Sequence, residues 1–355
     1  MGLGTFMFAR LAGNQRVKES LRRMLAGRRV PGALMFVGEE GVGKKLFALE
    51  LAKSLNCRAP VAEVEACDVC ASCVRISHST FPAHATEDEN RKLLLRSEHP
   101  DILLARPYNR LVRVDQMRDL EREANFRPYE GRARVFLIED ADRLNEQSSN
   151  ALLKTLEEPP QTSHLILITS RPASLLPTIR SRCQAIRFAP LAVAEIEKYL
   201  RHRDKKLSQE EARLIAHAAR GSIGRALSTD LKAYLAQRAA MLEVLDALAV
   251  TKDRARLLRA AEELTDAKRK EEYEPRLGVL ETLVHDVWSI SLGAARQDLA
   301  NDDLREQLSH IGVRLESRRA ARWLSQIEDH RRLLEVNINR KVATDALFLA
   351  MSGEN

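Results

Sequence analysis

Aromatic side chains are scarce in this sequence: phenylalanine, tyrosine and tryptophan make up 5% of 355 residues, and only two are tryptophan. So few rings exclude an extended stacking platform for single-stranded bases, and any nucleic-acid contact is expected to run through the phosphate backbone. Long hydrophobic runs are missing too. No apolar stretch approaches the roughly 18 residues a membrane span needs, and the opening MGLGTFMFARLAGNQ lacks the apolar core of a cleavable signal. The expectation is a cytoplasmic chain with no membrane partner. Nor is there an excess of acid: the formal charge is +7, which suits an anionic partner without requiring one. Cysteine is sparse outside one place, since four of the five lie between positions 57 and 73.

What is present begins with an alternation. Short apolar runs at Ala33–Val37, Ile102–Ala105, Val135–Ile138, Leu165–Thr169 and Ala185–Phe188 read as buried strands. Between them, Val17, Leu21, Met24 and Leu25 share one helical face, as do Phe47, Ala48, Leu51, Ala52 and Leu55. This pattern predicts an α/β domain with a parallel sheet and helices on both faces. After Pro190 the strand signals stop. Ser208 and Glu211 stand at capping-box spacing before a helical run, and the chain is helix-rich from about Leu235. The expected division is an α/β phosphate-loop domain over 1–189, a small helical domain over 190–234 and an all-α domain over 235–355.

The stretch GEEGVGKK, Gly38–Lys45, follows the strand ALMFV and opens the helix KLFALELAKSL. In that context Gly38, Gly41, Val42 and Gly43 are candidates to wrap a phosphate with backbone N–H groups. Lys44 would reach its terminal oxygens. The residue after the lysine should be Ser or Thr, whose hydroxyl holds Mg²⁺. Here it is Lys45, an ammonium that coordinates no cation, so metal-assisted hydrolysis should suffer while ATP or ADP remains the candidate ligand. The later strand ends in Glu139, Asp140 and Asp142, acids placed where Mg²⁺ and an attacking water would need them. Thr169 closes another of the apolar strands.

Cys57, Cys67, Cys70 and Cys73 form a C-x9-C-x2-C-x2-C cluster. Four thiolates so close in sequence can close a tetrahedral structural Zn²⁺ site, and a module over 57–80 inserted in the first domain is expected. Cys183 stands alone and reads as a buried thiol.

NALLKTLEEPP at Asn150–Pro160 and SRC at Ser181–Cys183, with the phosphate loop and the cysteine module, resemble the AAA+ subunits of the bacterial DNA polymerase III clamp loader. The resemblance runs over nearly the whole chain, from GNQRVKESLRRMLAGRRVPGALMF to EVNINRKVATDALFL. It implies an AAA+ domain, a helical lid and a C-terminal collar that joins five subunits. Implied partners are the gamma/tau and delta subunits, the beta sliding clamp and primed DNA, within the DNA polymerase III holoenzyme.

The family holds two relevant types. Gamma/tau subunits hydrolyse ATP. The delta-prime type typically does not, and offers the SRC arginine to a neighbour's ATP site. The departures in this chain decide between them. Lys45 replaces the hydroxyl residue, the strand acids read Glu139-Asp140 where the family pattern is Asp-Glu, and Gly224 holds the place of a phosphate-sensing arginine, with Arg225 one residue late. On a helix that shift turns the side chain by roughly 100°. Arg182 is retained, and VRVDQMRDL also resembles delta-prime sequences. The delta-prime type, without ATPase activity of its own and with Arg182 as an arginine finger in trans, is therefore expected. The alternative is a gamma/tau-type motor, supported by Lys44, the intact glycines, Thr169 and two surviving carboxylates. A stand-alone zinc-containing DNA-binding protein would leave LLKTLEEPP and SRC unexplained.

Overall fold

The structure is a computed structural model and describes residues 8, 11–62, 64–78, 94–108, 111–295, 299–335 and 338–353. Residues 63, 79 and 80 of the expected cysteine module lie outside the described residues. The chain divides into two compact units: residues 1–205 with 219–227, and residues 206–218 with 228–355.

The first unit is built on a six-stranded sheet in the order β2-β3-β4-β5-β1-β6. Its strands are β1 (Ala33–Val37), β2 (Leu95–Arg96), β3 (Ile102–Ala105), β4 (Arg134–Ile138), β5 (Ser163–Thr169) and β6 (Gln184–Arg187). All pairs are parallel except β2 with β3. Every residue of β1, β3, β4 and β5 is buried. Such continuous apolar runs fit a parallel sheet covered on both faces. The α/β expectation holds, and the five strands read from sequence are matched to within two residues at each end.

Register brings the chemistry to one edge. Val37 pairs with Thr169 and Leu167 with Ile138, so the carboxyl ends of β1, β4 and β5 lie side by side. Gly38, Glu139 and Thr169 therefore meet at the rim where α/β sheets place their ligands. Helices α1 (Gln15–Ala26), α2 (Lys44–Asn56), α3 (Ala71–Ser77), α4 (Val114–Ala124) and α5 (Glu146–Glu157) accompany the strands. Met117, Leu120 and Ala124 of α4 and Leu152 and Leu156 of α5 share one core with Phe136, Leu165 and Leu167 of the sheet. Four-residue α6 (Pro177–Arg180), α7 (Val193–Arg203) and short α9 (Ile223–Ser228), up to Leu227, complete the unit.

The second unit is helical: α8 (Gln209–Ala218), α10 (Leu231–Asp246), α11 (Arg254–Leu264), α12 (Tyr273–Ser291), α13 (Arg305–Gly312), α14 (Ser317–Glu335) and α15 (Arg340–Ser352). The capping box is real. Ser208 N donates to Glu211 Oε2 at 2.9 Å, and Glu211 N to Ser208 Oγ at 3.2 Å. Leu277, Leu280, Leu283, Trp323, Ile327 and Phe348 belong to one buried core. Inside it Tyr273 Oη meets His330 Nε2 at 2.5 Å and Thr344 Oγ1 at 2.8 Å, which satisfies three buried polar groups at once. Among the described residues no helix is long and apolar enough to cross a membrane.

Candidate nucleotide, arginine and metal sites

The loop after β1 has the shape its glycines predict. Gly41 (φ 76) and Gly43 (φ 98) occupy left-handed backbone, where a side chain is costly. Space excludes one as well: a Cβ on Gly41 would lie 2.2 Å from Ser222 Oγ, and one on Gly38 would lie 2.7 Å from the Phe188 carbonyl oxygen. Gly224 N donates to Gly41 O at 2.9 Å, so the turn entering α9 is fastened to the loop. Val42 is buried beneath it.

Lys44 is only 7% exposed. Its Nζ donates to Gly38 O at 2.5 Å and Glu39 O at 2.7 Å, tying the loop to the start of α2. Burial lowers its pKa, with Glu40 and Asp140 acting in opposition. Lys45 turns to the acidic strand end, where Nζ lies 2.7 Å from Glu139 Oε1. Arg106 Nε approaches Glu139 Oε2 at 3.6 Å. Lys45, the residue after the loop lysine, therefore pairs with Glu139 at the end of β4.

The other two acids are paired as well. Asp140 has φ 45 and lies 3.7 Å from Arg143 Nε; burial pushes its pKa up while Arg143 opposes the shift. Asp142 accepts from Thr169 Oγ1 at 2.7 Å and from Arg171 Nε at 3.2 Å. Thr169 is thus bound to Asp142. Arg225 reaches the flank of the loop, 3.3 Å from Glu39 Oε2.

Arg182 follows α6 and precedes β6. Its Nη2 lies 2.6 Å from Glu157 Oε1, and its Nη1 donates to Thr178 O at 3.0 Å. The next residue, Cys183, is in the core with Leu175 and Ile179, and burial pushes its thiol up to about 12. The structure joins the phosphate loop to Glu139 through Lys45. It does not join Arg182 to that cluster: its ion partner is Glu157, from the LKTLEEPP segment.

The cysteines meet. The Sγ atoms of Cys57, Cys67, Cys70 and Cys73 all lie within 4.8 Å of one another. Tetrahedral Zn–S bonds of about 2.3 Å would set them about 3.8 Å apart, so a small contraction completes the shell. Cys67 N donates to Cys57 Sγ and Cys70 N to Cys67 Sγ, both at 3.3 Å, which favours thiolates. Burial opposes ionisation of Cys70, yet hydrogen bonds involving Cys73, Arg58 and Cys67 bring it down to about 6; burial raises Cys73. This donor set can hold a metal ion. The module is tied to α2 by Lys53, whose Nζ lies 3.0 Å from Asp68 Oδ1, and to the strand region by Ser72 Oγ, 2.9 Å from His99 Nε2.

Residues 13–192 match the profile of the family described as DNA polymerase III, delta subunit, and residues 232–351 match its C-terminal counterpart. The chain belongs to this family. Its relatives include DNA polymerase III subunit delta-prime of Bacillus subtilis, 28% identical over 95% of both chains. The delta-prime subunit of Pseudomonas aeruginosa is 36% identical over 42% of this chain and 41% of its own. Subunit tau of Escherichia coli is 34% identical over 62% of this chain, but over only 32% of tau. End-to-end coverage favours the delta-prime type over gamma/tau. Among solved structures, a DNA polymerase III gamma subunit-related protein of Thermotoga maritima aligns over 94% of this chain and 98% of its own, with 17% identity and a TM-score of 0.36.

Sequence reasoning missed Arg106, Arg171, Ser222 and Glu157. Arg106, Arg171 and Ser222 carry no local signal and meet their neighbours through sheet register or the turn before α9. Glu157 lies within the LKTLEEPP segment, but its pairing with Arg182 arises only where the end of α5 meets the turn after α6.

Proposed function

We propose that this chain is the delta-prime subunit of a DNA polymerase III clamp loader, a non-hydrolysing stator that helps load the beta sliding clamp onto primed DNA. The observation that carries this reading is the Lys45–Glu139 ion pair. Hydrolysis needs a metal bridging carboxylate and phosphate and a carboxylate positioning water. Here the Glu139 carboxylate is bound to ammonium, while Thr169 and Arg171 engage Asp142.

What the chain gives instead is Arg182, presented to the ATP site of an adjacent gamma/tau subunit. A guanidinium supplied across an interface neutralises charge on the transferring phosphoryl group, worth about 10³ or more in rate. Its bond to Glu157 would exchange for one to phosphate, and the charge-assisted phosphate pair is the stronger. Residues 190–234 are read as the lid and 235–355 as the collar shared with the gamma/tau and delta partners, in the cytoplasm. Zn²⁺ in the Cys57/Cys67/Cys70/Cys73 module would be structural, cross-linking the end of α2 to α3.

The test is steady-state ATPase activity of the chain alone and of the assembly with gamma/tau, delta, clamp and primed DNA. The chain alone should be inactive, and Arg182→Ala in this subunit should lower the assembly's rate while Lys44→Ala leaves it nearly unchanged. ATP hydrolysis by the isolated chain that Lys44→Ala abolishes would overturn the reading in favour of a gamma/tau-type motor.

A further inference from the structure

We propose that the loop is a metal-independent site for the diphosphate or triphosphate group of a nucleotide, with the Lys45 ammonium doing the bridging that a divalent cation does in hydrolysing loops. The inference rests on reading Gly38–Lys45 as a phosphate loop and is independent of the role proposed for Arg182.

The acidic side of the site is internally neutralised. Glu139 has Lys45 Nζ at 2.7 Å on one oxygen and Arg106 Nε at 3.6 Å on the other. Asp142 accepts from Thr169 on one oxygen and Arg171 on the other, and Asp140 faces Arg143 at 3.7 Å. A divalent ion gains most of its binding energy from carboxylates and phosphate oxygens. Here it would have to displace a cationic group or a hydroxyl donor from each carboxylate first.

The anion-binding side is intact. Gly41 and Gly43 hold the left-handed backbone that turns successive N–H groups inward. Among the described residues, the N–H groups of Gly41, Val42 and Gly43 have no acceptor. The N-cap of α2 is Gly43, without a side chain to cap the helix. These are donors arranged for an anion rather than for the protein.

Lys44 points the same way. It is buried, and its Nζ bonds neutral carbonyls of the loop itself at 2.5 and 2.7 Å. Phosphate oxygens make stronger partners than carbonyls for an ammonium, and the charge of an arriving anion opposes the burial that lowers the Lys44 pKa. An ammonium donates up to three hydrogen bonds. Lys45 can therefore span Glu139 and a phosphate oxygen, joining carboxylate to phosphate as a metal does but without activating water.

The experiment is a calorimetric titration of the full chain with ADP and with ATP, in excess Mg²⁺ and in excess EDTA, on wild type, Lys44→Ala, Lys45→Thr and Lys45→Arg. Thermal melts establish that each variant is folded. The expected result is a wild-type Kd that agrees between the two conditions within about twofold. Lys44→Ala should abolish binding. Lys45→Thr should weaken binding in EDTA by about tenfold or more and recover part of it with Mg²⁺, while Lys45→Arg retains it. Wild-type binding that requires Mg²⁺, no binding in either condition, or binding indifferent to Lys44→Ala would each overturn the inference. None of these outcomes touches the assembly's dependence on Arg182, which is measured separately.

Discussion

Arg182 Nη2 lies 2.6 Å from Glu157 Oε1, so the guanidinium proposed to act on a neighbour is restrained by the chain that carries it. Both side chains are partly exposed, and such pairs contribute about 0–1 kcal/mol. Glu157 is then a positioning partner that is easily left. Glu157→Gln should alter the assembly's ATPase rate by no more than about fivefold, the equivalent of that energy. Arg182→Ala should lower it by about 10³ or more at the site it completes. Arg182→Lys should recover little, because an ammonium lacks the planar fork. Equal losses from Glu157→Gln and Arg182→Ala would mean that the pair acts within this chain rather than across an interface.

The parts of this site that were legible in the sequence are those fixed by local chemistry. The glycines of the loop, the spacing of the four cysteines and the apolar runs of β1, β3, β4 and β5 each state a backbone need or a burial pattern within a few residues. The pairings were not legible. Nothing near Arg106 announces that it will face Glu139, because that contact follows from β3 lying beside β4 in register. Thr169 was readable as a strand-end hydroxyl, but its bond to Asp142 depends on β5 lying beside β4. The two-residue strand β2 escaped notice because it is too short for any period to show and pairs antiparallel at the sheet's edge.

The cysteine module should bind about one metal ion per chain, held by four thiolates. Stripping the metal should expose the thiols to titration and make residues 57–78 sensitive to protease. The sheet's far-UV signature should persist, since its core does not pass through the module. Cys73→Ser, which removes a buried ligand, should reduce the metal content to near zero or to weakly held ion. Unchanged metal content in Cys73→Ser by elemental analysis would place the ion elsewhere.

Asp101 organises the turn between α4 and β4. Its Oδ1 accepts from Tyr129 N at 2.7 Å, and its Oδ2 accepts from Glu130 N at 3.0 Å and Gly131 N at 2.8 Å. The carboxylate is fully buried, with Arg134 Nε at 3.9 Å, while Arg134 also bonds Glu123 at 2.7 Å. Asp101→Ala leaves three N–H groups without their acceptor and strips one partner from a buried guanidinium. The expected cost is about 3–5 kcal/mol. Urea unfolding followed by far-UV circular dichroism measures it, and a loss under about 1 kcal/mol would mean that water replaces the carboxylate.

The helical unit should lose stability in mild acid, and His330 should be one cause. Its ring is buried, with Nε2 2.5 Å from the Tyr273 hydroxyl, Arg331 adjacent in sequence and Arg340 stacked 4.8 Å over the Tyr273 ring. Burial first, and then Arg331, lowers its pKa below the ordinary 6.5. The folded chain therefore keeps His330 neutral at a pH where the unfolded chain already binds a proton. Its contribution is fully present above about 6.5, declines as the pH falls below that value, and levels off once the pH passes the depressed folded value. His217, lowered by burial and by Arg213, acts in the same direction within this unit. Both tryptophans of the chain, Trp288 and Trp323, lie in the helical unit, so their fluorescence reports its unfolding separately from the sheet's. Urea transitions at pH 7.5, 6.5 and 5.5 should shift to lower denaturant with acid. His330→Gln can keep a hydrogen bond to Tyr273 but cannot take up a proton. It should therefore shift less with acid than wild type, whatever its stability at pH 7.5; an identical acid shift in the two proteins would remove His330 as a cause.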